Sequence, residues 1–129
     1  MLILDTHAIL WDALDPPRLS RRARRAIDAA SAERALGWAA ISLWEIALLA
    51  DRGRILVPGD LAAAMEDMLA ARHARVLPLT ARIAVRAQQL AQLDDPADRL
   101  IAATALVHEA TLVSADTKIA QLAGLKLLW

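Results

Sequence analysis

The sequence predicts an α/β fold, a three-layer α/β/α sandwich around a central parallel sheet of four to five strands. Short apolar runs of strand length alternate with longer segments whose apolar residues recur every three to four positions, the pattern of strands joined by crossover helices. Acids stand at Asp5, Glu45, Asp98 and Asp116, each where an apolar run gives way to the start of a helix. The apolar content is rich in Ala and Leu with no Phe or Tyr, which favours tightly packed helices over an aromatic-rich sheet.

Leu2-Ile3-Leu4 reads as a buried first strand ending at Asp5, and Thr6 to Leu14 as the helix after it. Asp15-Pro16-Pro17 breaks that helix. Ser20 is placed to cap a second helix to about Ser31, with Ala23, Ala26, Ile27 and Ala30 on one face. Leu36 to Ile41 reads as the second strand. Ser42 then opens a helix to about Arg52, with Gly53 at the usual stop position. Asp60 caps a helix lined by Leu61, Met65, Met68 and Leu69, and Arg75 to Leu79 forms a short third strand. Thr80 caps the next helix, whose Ile83, Ala87 and Leu90 make a stripe. Asp95-Pro96 opens a helix to about Glu109 whose apolar middle, Leu100 to Val107, is expected to be buried on several sides. Thr111 to Ser114 reads as the fourth strand, Asp116 to Ala123 as a short helix, and Leu125 to Leu128 as a last edge strand.

At 129 residues, 57% of them hydrophobic, residues 1–129 are expected to form a single domain with one core. There is no cysteine, which excludes disulfides and thiolate metal sites and points to a reducing, cytoplasmic setting. No apolar run has bilayer-spanning length, and Met1 leads straight into the first strand without a basic leader. Fifteen basic side chains balance fifteen acidic ones, so net charge carries no signal for nucleic acid and only local clustering bears on it.

The four acids point to chemistry. The carboxyl ends of parallel strands share one edge where ligands bind, so acids far apart in sequence are brought to one spot. Such a cluster repels itself unless a hard divalent cation with oxygen ligands sits among it. Capping is the competing account. Ser42-Leu43-Trp44-Glu45 fits a capping box, Asp95-Pro96-Ala97-Asp98 is a capped helix start, and Asp116 is placed to cap its own helix. Asp5 resists it, because it ends the run expected to be the central strand, where an unpaired carboxylate costs several kcal/mol. The joint pattern is read as a metal-dependent enzyme.

These segments resemble those of PIN-domain ribonucleases, specifically VapC-like toxins of type II toxin–antitoxin pairs. Met1-Leu2-Ile3-Leu4-Asp5-Thr6-His7-Ala8-Ile9-Leu10-Trp11 is similar to the family's opening block. Ser42-Leu43-Trp44-Glu45-Ile46-Ala47 is similar to its second, Asp95-Pro96-Ala97-Asp98-Arg99-Leu100-Ile101-Ala102-Ala103 to its third and Leu112-Val113-Ser114-Ala115-Asp116 to its fourth, in the family's order. The resemblance implies a PIN-like domain over 1–129 and an Mg²⁺- or Mn²⁺-dependent endoribonuclease. Asp5, Glu45, Asp98 and Asp116 would be its catalytic, metal-binding acids, and Thr6 and Ser114 the hydroxyls that orient acids or water. It further implies an RNA substrate, a cognate antitoxin and a homodimer. One block departs from the usual form: Leu93-Asp94 stands where many relatives carry a His before the Asp-Pro pair, and Ala97 where they carry Phe.

Arg99, beside Asp98, is the candidate for holding the scissile phosphate, with pairing to a nearby acid as the alternative. Arg21, Arg22, Arg24 and Arg25 read as a solvated helix face, with phosphate contact as the alternative. His7 reads as a helix-surface or packed histidine, and Trp11, Trp38 and Trp44 as core or interface residues. Three rival readings stand beside the nuclease, one of them a receiver domain, which wants a phosphoacceptor Asp at a middle strand end where Ile41-Ser42 offers no acid. An aspartyl-nucleophile phosphatase wants a second Asp two residues after the first, where this chain has His7. A degenerate, non-catalytic domain that binds RNA or protein would have no need of the intact acid set.

Overall fold

The computed structural model describes residues 1–129. In chain order it forms β1 (Leu2–Leu4), α1 (Thr6–Leu14), a 3-10 turn (Pro16–Arg18), α2 (Arg21–Ala32), β2 (Leu36–Ala39), α3 (Ala40–Asp51) and α4 (Leu61–Ala71). There follow β3 (Arg75–Leu77), α5 (Ala81–Gln88), α6 (Pro96–Val107), β4 (Thr111–Val113), a second 3-10 turn (Ile119–Gln121) and β5 (Lys126–Leu128). The five strands pair in parallel in the order β3-β2-β1-β4-β5. β1 is therefore central. The chain winds outward from it on both sides, which opens a crevice beyond the carboxyl ends of β1 and β4.

Strand alternation splits the core into two layers. Ile3, Ala39, Leu77 and Leu112 pack on one face with Ile83 of α5 and Ile101 of α6. Leu2, Leu4, Leu36, Trp38 and Val113 pack on the other with Ile9 of α1, Ile27 of α2 and Ile46 of α3. The apolar middle of α6 is buried from Ile101 to Ala105, as its sequence predicts. Gly37 of β2 allows a close approach, since a Cβ there would lie 2.8 Å from the Leu77 side chain. No helix is long and apolar enough to cross a membrane.

Local signals set the helix starts. Ser20, Asp60, Thr80 and Asp95 each accept a hydrogen bond from an amide in the first turn of the helix they precede. Two expectations change. α3 begins at Ala40, with Ala39 in the cap position and no side-chain cap, so Ser42 and Glu45 form no capping box. The expected helix over 116–123 is only the second 3-10 turn. Asp116 Oδ1 accepts a 2.7 Å hydrogen bond from the Lys118 amide, two residues on, which closes a tight turn in competition with a helical one.

Candidate active site

The four acids come together. Asp5, Glu45, Asp98 and Asp116 line one cleft of about 400 Å³, with Thr6, Asp95 and Ala115 among them and His7, Trp11 and Arg18 at its side. Asp5 follows β1 directly, Asp116 follows β4, Glu45 lies in α3 and Asp98 in the first turn of α6.

Asp5 is 7% exposed. Its Oδ1 accepts from the Ala8 amide at 2.7 Å, which also caps α1. Burial pushes its carboxyl above the usual range, against the opposing hydrogen bonds of the Ser114 hydroxyl and the Ala8 amide. Ser114 is fully buried beneath the site, and its hydroxyl also accepts from the Asp116 amide at 3.1 Å. One serine therefore lies against the Asp5 carboxyl and holds the backbone of Asp116.

Thr6 does the equivalent work for Glu45. Its hydroxyl donates to Glu45 Oε1 at 2.5 Å and lies 3.1 Å from the buried Ser42 hydroxyl. Ser42, expected as a helix cap, has instead turned inward to this network. Burial raises the Glu45 carboxyl, the Thr6 hydrogen bond opposes that, and the charge of Asp95 adds to it.

Asp98 is half-buried, and its carboxyl is pushed up to about 7. Burial is the largest cause, followed by the negative charges of Asp95, Glu45, Asp116 and Asp5. That sequence of causes is itself a statement that the acids share one field. No three of them converge on a point closely enough to make a ready cage for an ion. Repulsion among like charges opposes such convergence.

Three features of the cleft escaped sequence reasoning. Asp95 was legible as a cap, and it does accept from the Ala97 amide at 2.8 Å, but it also adds a fifth acid to the lining. The pair of acids in Asp95-Pro96-Ala97-Asp98, less than a helical turn apart, was the available signal. Arg18 is the one guanidinium in the lining, brought there by the turn after α1. Trp11 is half-buried in the cleft wall, with His7 exposed beside it. Arg99 lies outside the lining: its guanidinium donates to the carbonyl oxygens of Leu93 and Ala91 and braces the loop ahead of α6. Arg24 donates to the Pro16 carbonyl at 2.7 Å, while Arg21, Arg22 and Arg25 are exposed on α2.

Residues 2–125 match the PIN domain family model. Ribonuclease VapC22 of Mycobacterium tuberculosis is 37% identical over 120 residues, spanning 92% of this chain and 88% of that protein. Among solved structures, VapBC2 from Rickettsia felis bound to a DNA fragment from its promoter superposes with a TM-score of 0.76 at 16% identity, covering 98% of this chain and 96% of that one. A toxin–antitoxin complex from Klebsiella pneumoniae superposes with a TM-score of 0.65 at 19% identity, covering 100% and 97%. The structural likenesses extend the agreement in fold to both ends of the chain. With a family model spanning nearly every residue and a relative at this identity, the chain belongs to the PIN-domain family.

Proposed function

We propose that this protein is a metal-dependent endoribonuclease, the toxin of a type II toxin–antitoxin system acting in the cytoplasm, with Asp5, Glu45, Asp98 and Asp116 as its working acids. The observation that carries the reading is the convergence of these four carboxylates, drawn from four separate elements, on one cleft. The similarity to a protein named as a ribonuclease supplies the substrate class.

The donor set suits Mg²⁺ or Mn²⁺. Every candidate ligand is a carboxylate oxygen, no carboxylate of the set is engaged in an ion pair, and burial together with the neighbouring acids raises Asp98. The absence of a ready three-acid cage is compatible with an ion that keeps several waters and takes only one or two carboxylates directly. Asp5, Asp98 and Asp116 would hold it, directly or through its waters, with Glu45 completing the set. The chemistry such an ion supplies is that of a Lewis acid, making water more acidic and offsetting charge that builds on phosphate.

The chain's own residues orient and exclude. The Ala8 amide fixes the Asp5 carboxylate, with the Ser114 hydroxyl beside it, and Thr6 fixes Glu45. Hydrolysis displaces the ribose 3′ oxygen and leaves 5′-phosphate and 3′-hydroxyl ends.

Asp5→Asn tests the assignment. It should keep the fold and lose at least about a hundredfold in cleavage of mixed RNAs in Mn²⁺, the scale of removing a principal electrostatic contact. A folded Asp5→Asn protein with full activity refutes it.

Two partners belong to the proposal. Similarity to a toxin–antitoxin complex supports an antitoxin, tested by co-purification with the product of an adjoining small reading frame. Trp44 on α3 is 58% exposed, a large apolar side chain that a second copy could cover. A chain that sediments as a monomer at micromolar concentration would exclude the homodimer.

A further inference from the structure

Beside its acids, the cleft is lined by His7, Trp11 and Arg18. Arg18 Cζ lies 4.6 Å from the centroid of the Trp11 ring, a cation–π stack. The His7 ring is 5.8 Å from that of Trp11, one helical turn away on α1, and the Trp129 ring meets Trp11 edge-on at 5.5 Å. Arg18 is delivered rigidly. It closes the Pro16–Arg18 turn, where two prolines fix the backbone, and the Arg24 side chain holds the Pro16 carbonyl at 2.7 Å. Both ion pairs of the molecule belong to Arg72, so Arg18 has no carboxylate partner although five acids line the same cleft.

A second hollow of about 300 Å³ begins at these same three residues. It runs on over Leu49 and Ile55 to a further arginine, Arg54. The two hollows therefore meet at an aromatic and cationic sill, with five acids on one side and, on the other, an apolar floor that carries one acid, Asp15, and one further guanidinium, Arg54.

We infer that this sill is the subsite for the nucleotide next to the cleaved bond of a single-stranded RNA. Arg18 takes the phosphate flanking the scissile one, the neighbouring base rests against the exposed His7 ring beside the Arg18-covered Trp11, and the strand continues toward Arg54. The inference rests on the ribonuclease reading and deepens it. Its physical basis is that a polyanion is repelled by a five-acid cleft and needs a fixed positive charge at the entrance. Arg18 is the only lysine or arginine in the lining and has no competing partner. Aromatic faces accept any base, so a stacking wall beside that charge suits single-stranded RNA.

The test measures binding of a dye-labelled, mixed-sequence single-stranded RNA in EDTA across a range of salt, and steady-state cleavage in Mn²⁺. Arg18→Met, which retains an aliphatic cover over Trp11, should weaken binding roughly tenfold and reduce the salt slope by about one. It should raise KM while kcat stays within about twofold, as expected where substrate and transition state are held equally. Arg18→Lys should restore the salt slope and part of the affinity. Trp11→Phe should keep most of the binding and Trp11→Leu lose roughly tenfold. If Arg18→Met keeps the affinity, slope and KM of a wild type that cleaves RNA, the subsite is wrong and the ribonuclease reading survives. The same holds if Arg18→Met loses only a protein partner, which would reassign the sill to a protein contact. A wild type that neither binds nor cleaves RNA ends both.

Discussion

Thr6 is the hinge between two acids, adjacent to Asp5 in the chain and hydrogen-bonded to Glu45 across the site. A hydroxyl that orients a metal-binding carboxylate is commonly worth ten- to a hundredfold in activity or metal affinity. Thr6→Val is therefore expected to lose about that much cleavage and, by leaving the buried Ser42 hydroxyl without its neighbour, about 1–2 kcal/mol of stability. Thr6→Ser should restore most of both; kinetics and thermal melts on the pair decide it. Asp98 makes a pH prediction. Its folded-state pKa of about 7 lies above its ordinary 3.8, so between those values the folded protein holds the proton more tightly than the unfolded chain. The associated stability is present in full below pH 3.8 and is lost as pH rises through about 7. In EDTA the wild type should therefore melt progressively lower from pH 4 toward pH 8, and Asp98→Asn should flatten that fall. Parallel curves for the two proteins would contradict the shared field of the acids.

At the scale of elements, one arginine ties three helices. Arg72, just past α4, pairs with Asp12 of α1 through both carboxylate oxygens, at 2.5 and 2.8 Å, and reaches Asp28 of α2 at 2.8 Å. The Asp12 side chain is 8% exposed and Asp28 58%, so the Asp12 arm carries the energy. Arg72→Met strands a nearly buried carboxylate and should cost roughly 1–3 kcal/mol, below the figure for a fully buried pair because the arginine itself is partly exposed. Adding Asp12→Leu should recover much of that loss in urea titrations. If the double variant is no more stable than Arg72→Met, the pair is not what holds α4 against α1. The elements themselves were largely legible: α1 runs over the expected Thr6–Leu14, and Ser20, Asp60, Thr80 and Asp95 cap as expected. Ser42 misled because its partner, Thr6, is 36 residues away. A capping box is a local pattern, and a buried hydroxyl network outcompeted it.

For the whole molecule, the acid cleft predicts linkage between metal and stability. An ion that binds the folded state alone stabilises it by about 2.7 kcal/mol at a hundred times its dissociation constant. For a chain of this size that raises the melting temperature on the order of 10 °C. Mn²⁺ should do so for the wild type and far less for Asp5→Asn; equal shifts, or none in either, would remove the cation from the site. The sequence alone was enough to settle the alternation of strands and helices, the central place of the first strand and the acids Asp5 and Asp116 at strand exits, because periodicity, caps and strand ends are written in neighbouring residues. Only the tertiary structure decided that Asp95 joins those acids, that Arg18 rather than Arg99 faces them, and that Trp11 walls the cleft. Those outcomes depend on how a proline turn and a loop pack across the sheet edge, and contacts between distant segments leave no local pattern to read.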